Sequence, residues 1–372
     1  MKIPMLDLSE QYQSIKSEVL EVLDNVMSSS SFILGENVKK LEHDIAKFNN
    51  VTHGIGCGNG SDAVLIALQA LGVTIGDEVI TTSFTFFATG GAITRLGATP
   101  VFVDIDPVTF NIDPNKIEEA ITEKTKAIIP VHLYGQMADM EKISVIANKH
   151  NLAVVEDAAQ AIGAKHNGKT VGEFGTVATY SFFPTKNLGA YGDGGMIVTN
   201  DDEVAELSRI IRVHGSKPKY YHHVNGYNSR LDELQAAVLN VKFPYLERWG
   251  ELRREKAAIY TSLLKKILGE EVITPVEKEG NYHVFHQYTI RVEKRNELQS
   301  YLKEQGIATM VYYPLPLHLQ PVFKSLGYKE GDFPATEKAA REALSLPMYP
   351  ELKLEQQEKV VAKIAEFYGN KF

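Results

Sequence analysis

Between residue 14 and about residue 240, the spacing of apolar positions switches repeatedly between a helical period and short unbroken runs. "SEVLEVLDNVM" and "VKKLEHDIAKF" repeat apolar residues at intervals of three and four, which predicts amphipathic helices. "GSDAVLIALQALG" predicts another, with Ser61 and Asp62 in its first turn and Gly72 at its end. Short apolar runs follow at "EVITT", "TPVFVDI", "TKAIIPV" and "LAVVED", with helix-like stretches such as "TFFATGGAITRLG" and "MEKISVIANKH" between them. Further strands fall at "TVATYSFF" and "GGMIVTN". This alternation predicts an α/β fold: a largely parallel sheet with crossover helices on its faces.

After Tyr245 the order changes. A long helix ends near Leu268, and a strand at "QYTIRV", a helix at "RNELQSYLKEQG" and a last helix at "LEQQEKVVAKIAEFYG" follow. A chain of 372 residues exceeds one ordinary hydrophobic core. The expected division is a large α/β domain over 1–245, including the N-terminal helix, and a smaller α+β domain over 246–372. No flexible linker marks the boundary, so it is expected to be helical.

Composition removes several function classes. A formal charge of −8 repels polyanions, so neither nucleic acid nor an anionic membrane is an expected partner. No apolar run is long enough to span a bilayer, and the first residues do not form a signal segment. Cys57 is the only cysteine; it fits a cytoplasmic location and reads as a small buried filler. His214, His222 and His223 lack ligand spacing and a completing acid or thiol, so no metal is expected.

"GAKHNGKT", residues 163–170, matches the phosphate-loop pattern. Yet no helix pattern follows Thr170, and Asn167–Gly168 is a strong signal for a two-residue hairpin turn. The expected structure is a hairpin.

A distributed set of residues carries more chemistry. "VVEDAAQAIGA" puts Asp157 directly after an apolar strand, at the edge where open α/β sheets build ligand sites. "YSFFPTKNLGAYGDGG" puts Lys186 in a glycine-rich loop after another strand, and "GCGNGSDA" opens a helix suited to an anion. A lysine for a Schiff base, an acid for a pyridine nitrogen and an anion cradle are the parts a pyridoxal-phosphate enzyme needs. Each part alone also has an ordinary structural reading, as a solvated lysine, a helix-capping aspartate or a simple turn.

Together, "DLSEQYQSIKSEV", "SSSFILGENVKKLE", "GNGSDAV", "GDEVITTSFTFFAT", "VEDAAQAIGA", "SFFPTKNLGAYGDGG" and "YNSRLDELQAAVL" resemble the DegT/DnrJ/EryC1/StrS family of sugar aminotransferases. The likeness runs from Pro4 to "LSLPMYPEL". It implies the fold-type I, aspartate aminotransferase-like architecture, with a mostly parallel seven-stranded sheet. It also implies pyridoxal 5′-phosphate, with pyridoxamine 5′-phosphate as the intermediate form.

Carried onto this chain, the resemblance makes Lys186 the Schiff-base lysine and Asp157 the partner of the ring nitrogen. Phe86 becomes the ring-stacking residue, Gln160 a neighbour of the cofactor oxygen, and Gly60, Ser61 and Ser181 phosphate contacts. Asn228 would reach the phosphate of a neighbouring subunit, which implies a homodimer with shared active sites. Arg230, Tyr312, Tyr313 and His318 are implied substrate contacts, although some relatives carry histidine where Tyr312 stands.

The implied reaction moves nitrogen from glutamate to a nucleotide-linked keto sugar. "GYNSRLDELQAAVL" resembles the C3-aminating members most, so the expected substrate is a dTDP-linked 3-keto-6-deoxyhexose. Alternatives are a UDP-linked 3-keto-N-acetylhexosaminuronic acid or a 4-keto nucleotide sugar. A sugar dehydratase of this family would replace the lysine with histidine, and a non-catalytic sugar-nucleotide binder would not require Lys186 and Asp157.

Overall fold

The computed structural model describes residues 2–370. Its centre is a seven-stranded sheet made of β1 (His53–Cys57), β2 (Glu78–Thr82), β3 (Thr99–Val103), β4 (Thr125–Ile129), β5 (Ala153–Asp157), β8 (Val177–Ser181) and β9 (Gly195–Thr199). The order across the sheet is β1-β9-β8-β5-β4-β2-β3. Every neighbouring pair is parallel except the two made by β9, which runs against both β1 and β8. The central strands are buried along almost their whole length, which is why they read as unbroken apolar runs.

Helices cover both faces. α2 (Glu36–Phe48), α5 (Met140–His150) and α7 (Glu233–Lys242) contribute to one core. α3 (Gly60–Ala70), α4 (Phe87–Arg95) and α6 (Asp202–Ile211) contribute to the other. α1 (Ser9–Ser29) lies outside this sandwich and packs Ile15 and Val19 against Val238 and Val241 of α7. The foreseen strands and helices of this half appear in place. β1, α6 and α7 go beyond the expectation. The two glycines of "HGIGC" leave β1 little strand pattern to read.

The phosphate-loop match is a turn. β6 (Lys165–His166) and β7 (Lys169–Thr170) pair antiparallel through Asn167 and Gly168, whose φ angles are 48° and 79°. Both central residues are therefore left-handed, as a type I′ hairpin requires.

α7 leads through a single 3-10 turn, Phe243–Tyr245, into α8 (Leu246–Leu268). β10 (Asn281–Tyr282) then pairs with β6, and β11 (Tyr288–Arg291) pairs with β12 (Ala343–Leu346). α8, β11 and β12, with α9 (Arg295–Glu304) and α11 (Leu354–Phe367), form a second core around Tyr260, Tyr288, Leu302 and Val361. β12 follows α10 (Pro334–Glu342) without a break, so the helix passes directly into a strand within "KAAREALSL". The N-terminal segment joins this second core, because Ile3 bridges Ile307 and is buried there.

Candidate active site

The loops that carry the chemistry leave the carboxyl ends of β1, β2, β5 and β8, which run in one direction. Open α/β sheets gather ligands at that edge, where the loops diverge and the helix N-termini point.

Asp157 closes β5 and is only 6% exposed. Its Oδ2 accepts the hydroxyl of Thr89 at 2.8 Å, and its Oδ1 accepts the N–H of Ala159 at 3.2 Å. Behind it, Glu156 is fully buried: Oε2 pairs with Nε2 of His132 at 2.8 Å, and Oε1 accepts the N–H groups of Gly172 and Gly175. Two successive acids on one strand therefore take different roles: Glu156 points into the chain's own framework, and Asp157 stays at the edge.

Lys186 lies in the loop between β8 and β9. The residue is half-buried overall, but loss of water around its amine lowers the pKa to about 8. The Asp157 carboxylate works against that shift. A neutral amine is the form that attacks a carbonyl, so a lysine brought toward neutrality beside an acid is primed for Schiff-base chemistry.

The anion cradle forms where α3 begins. Asn59 caps the helix, its Oδ1 accepting the N–H of Asp62 at 2.8 Å. A Cβ on Gly60 would lie 2.5 Å from Cβ of Ser181, so only glycine lets the helix start against the end of β8. The first N–H groups of a helix have no intrahelical acceptor, and here they sit next to a serine hydroxyl. Gly60, Ser61 and Ser181 are thus brought together, at one end of the edge that carries Asp157.

Phe86 stands at the start of α4 and is 57% exposed, which leaves its ring open to a ligand at the sheet edge. Its ring centroid lies 6.1 Å from that of Tyr313. Tyr313 accepts a hydrogen bond from Nε2 of Gln160 at 3.2 Å, and Oε1 of Gln160 accepts the N–H of Tyr134 at 2.7 Å. The Tyr134 hydroxyl donates to the carbonyl of Tyr312. Gln160, Tyr312 and Tyr313 therefore form one network that joins the C-terminal segment to the sheet edge. Burial raises the pKa of the Tyr313 phenol, keeping it protonated as a donor.

The remaining implied residues are placed differently. Asn228 is exposed, and its neighbour Ser229 is buried with Oγ accepting the N–H of Gly58 at 3.0 Å. Arg230 is half-buried and makes no ion pair among the described residues. His318 departs from its expected role: it is 1% exposed, with Nδ1 paired to Ser83 Oγ at 2.6 Å and Nε2 to Glu337 Oε1 at 3.2 Å. Both ring nitrogens are engaged inside the chain, so His318 supports the loop after β2 and is not open to a substrate in this conformation. Among the described residues, no group of three or more His, Cys, Asp or Glu side chains could hold a metal ion, and no helix is long and apolar enough to cross a membrane.

Residues that pattern reading missed include Thr89, the His132–Glu156 pair, and Asn187 with His286, whose Oδ1 and Nδ1 lie 3.2 Å apart. "FTFFATGG" contains two threonines of equal standing, Thr85 and Thr89, so nothing in it singles out Thr89. The donor set fits pyridoxal phosphate: an amine of lowered pKa, an oriented carboxylate, a helix start for the phosphate and an uncovered ring.

Fold and site together define a fold-type I aminotransferase. The chain belongs to the DegT/DnrJ/EryC1/StrS aminotransferase family, whose model matches residues 13–365. It is 75% identical over 368 residues to a "pleiotropic regulatory protein" of Geobacillus stearothermophilus, with 99% of each chain covered. A UDP-2-acetamido-2-deoxy-3-oxo-D-glucuronate aminotransferase of Pseudomonas aeruginosa is 46% identical, over 94% of this chain and 96% of the relative. A dTDP-3-amino-3,6-dideoxy-alpha-D-galactopyranose transaminase of Aneurinibacillus thermoaerophilus is 44% identical, over 98% and 99%. Among solved structures, S. venezuelae DesV in complex with a ketimine intermediate superposes with a TM-score of 0.95, at 41% identity and 98% coverage of both chains.

Proposed function

We propose that this chain uses pyridoxal 5′-phosphate to transfer an amino group from glutamate to C3 of a dTDP-linked 3-keto-6-deoxyhexose. The observation that carries the reading is that Lys186, an amine with a pKa of about 8, lies within electrostatic reach of Asp157, a carboxylate oriented by Thr89. The name of the 75%-identical relative speaks of regulation, but a binder without chemistry has no use for that arrangement.

When bound, pyridoxal phosphate supplies an aldehyde that amines can join and a ring that accepts electrons from the donor's α-carbon. Gly60, Ser61 and Ser181 would hold its phosphate, and Phe86 would supply the aromatic surface against which its ring stacks. Asp157 keeps the ring nitrogen protonated, which a carboxylate achieves by favouring the positive charge. With the cofactor bound, Nζ of Lys186 would take the proton from the donor's α-carbon and deliver it to the carbon of the former aldehyde group, and would carry a proton the opposite way, to C3 of the sugar, in the second half-reaction. Gln160 and Tyr313 close the edge around the reacting groups.

Asn228, exposed beside the cradle, reaches the phosphate of a second copy, making a homodimer with shared sites. The large domain is 1–245 and the smaller one 246–372, with the N-terminal segment packed on the latter.

The C3 and dTDP reading draws on the 44%-identical dTDP-sugar transaminase. A second reading, a UDP-linked 3-keto-N-acetylhexosaminuronic acid, draws on the 46%-identical relative and needs a cation for the added carboxylate, for which Arg230 is available. Incubation with glutamate and each 3-keto substrate, alongside a 4-keto control, separates the readings by NMR of the product. Nitrogen on C3 of the dTDP sugar is the expected result, and nitrogen only on C4, or only on the UDP sugar, overturns it.

A further inference from the structure

The loop that carries Lys186 is tied to α7 by a second lysine. Lys242 ends α7, is 1% exposed, and donates from Nζ to the carbonyl of Gly189 at 2.7 Å. The same ammonium lies 4.2 Å from the ring centroid of Tyr191. Both partners belong to "KNLGAY", three and five residues past Lys186. About two turns earlier on α7, Gln235 accepts the N–H of Tyr191 at 2.9 Å.

A buried ammonium is normally matched by a carboxylate, because removing the charge from water costs far more than one neutral acceptor returns. Among the described residues no carboxylate pairs with Lys242. Burial accordingly lowers its pKa, to about 8. Its partners are a carbonyl and an aromatic face, both in the loop of Lys186. The loop itself is folded hard: a Cβ on Gly189 would lie 2.4 Å from the carbonyl oxygen of Pro184, so the backbone there doubles back on the segment before Lys186. Fixing the Gly189 carbonyl therefore fixes the turn from which Lys186 projects. Lys242 does not act on Lys186 through its charge, since Asp157 is the only charged group that shifts the Lys186 amine.

We propose that Lys242 is a positioning residue for Lys186: its ammonium pins the Gly189 carbonyl and the Tyr191 ring, and so sets where the Lys186 amine stands relative to Asp157. The role rests on the assignment of Lys186 as the reactive amine.

The test compares wild type, Lys242→Met and Lys242→Arg as purified holoenzymes and as apoproteins. Methionine keeps the length of the side chain and removes both the charge and the donor; arginine restores a cationic donor. In Lys242→Met apoprotein, amide exchange at residues 186–190 should accelerate about tenfold, the change expected from losing one charge-assisted hydrogen bond, while exchange in β4 and β5 stays unchanged. In the holoenzyme kcat should fall about tenfold with KM for the keto sugar within about threefold, and arginine should recover part of both effects. Tyr191→Leu, which leaves the Gly189 bond in place, should loosen the same amides by a smaller factor, and it supplies the test if Lys242→Met does not fold. Unchanged exchange at 186–190, or acceleration spread evenly over the sheet, overturns the proposal. Borohydride trapping in the same samples is a separate readout: cofactor fixed to a lysine other than Lys186 removes the functional reading and the positioning role together, whereas trapping on Lys186 with unchanged exchange removes only the latter.

Discussion

Asp157 is the single charged group that resists the loss of a proton from Lys186, and burial of the amine outweighs it. The result is an amine of pKa about 8 facing a carboxylate, close to the working range of a proton shuttle.

The pH dependence of cofactor capture follows from that balance. Lowering the pKa of a base enlarges its neutral fraction at a given pH, so capture of pyridoxal phosphate by apoprotein should rise about tenfold per pH unit below 8 and level off above it. Asp157→Asn removes the opposing charge and should move the break to lower pH. Stopped-flow absorbance measures both, and a break near the ordinary lysine value in wild type would contradict the burial of Lys186.

Thr89 orients Asp157 through one hydrogen bond of 2.8 Å. Thr89→Val keeps the shape and removes the donor, so kcat should fall by about tenfold, near 1.5 kcal/mol, with little change in melting temperature. Asp157→Asn should cost at least about a hundredfold, because the ring nitrogen loses its charge partner. Equal activity of Thr89→Val and wild type in steady-state assays would show that the strand alone orients the carboxylate.

Asn228 is exposed while its neighbour Ser229 is locked to Gly58. If it serves a partner's site, Lys186→Ala and Asn228→Ala chains, each inactive alone, should regain up to about a quarter of wild-type activity when refolded together, the share of composite sites that receive both native residues. No recovery in mixtures shown by mass spectrometry to contain heterodimers would rule out shared sites.

Lys169 sits in the turn that imitates a phosphate loop, with Nζ 4.8 Å from the centroid of the Phe174 ring. Lys169→Ala should change kcat/KM by less than about twofold, as expected of a surface contact. A large loss of activity with cofactor still bound would restore a ligand role to that segment.

Much of the fold was legible because its signals are local. Strands such as "EVITT" and "LAVVED" are buried on both faces and therefore carry an apolar run at their centre, and Asn167–Gly168 carries its turn type in two residues. β1 escaped because its glycines carry no pattern, and β12 because "ALSL" continues an alanine-rich helix and becomes a strand only by pairing with Tyr288–Arg291.

The site divides in the same way. Lys186, Asp157 and the Gly60–Ser61 helix start lie in loops and strand ends whose residue types suit one chemistry, so the chain's order of motifs is enough to single them out as candidates. Contacts across long separations were decided by packing alone: Thr89 meets Asp157 over 68 positions, and Lys242 meets Gly189 over 53. His318 shows the converse, since the family resemblance implies a substrate contact, yet Ser83, 235 positions away, and Glu337 engage both its nitrogens. A hydrogen bond needs two groups within about 3 Å, and only folding of the sheet edge brings residues so far apart in the chain to that distance.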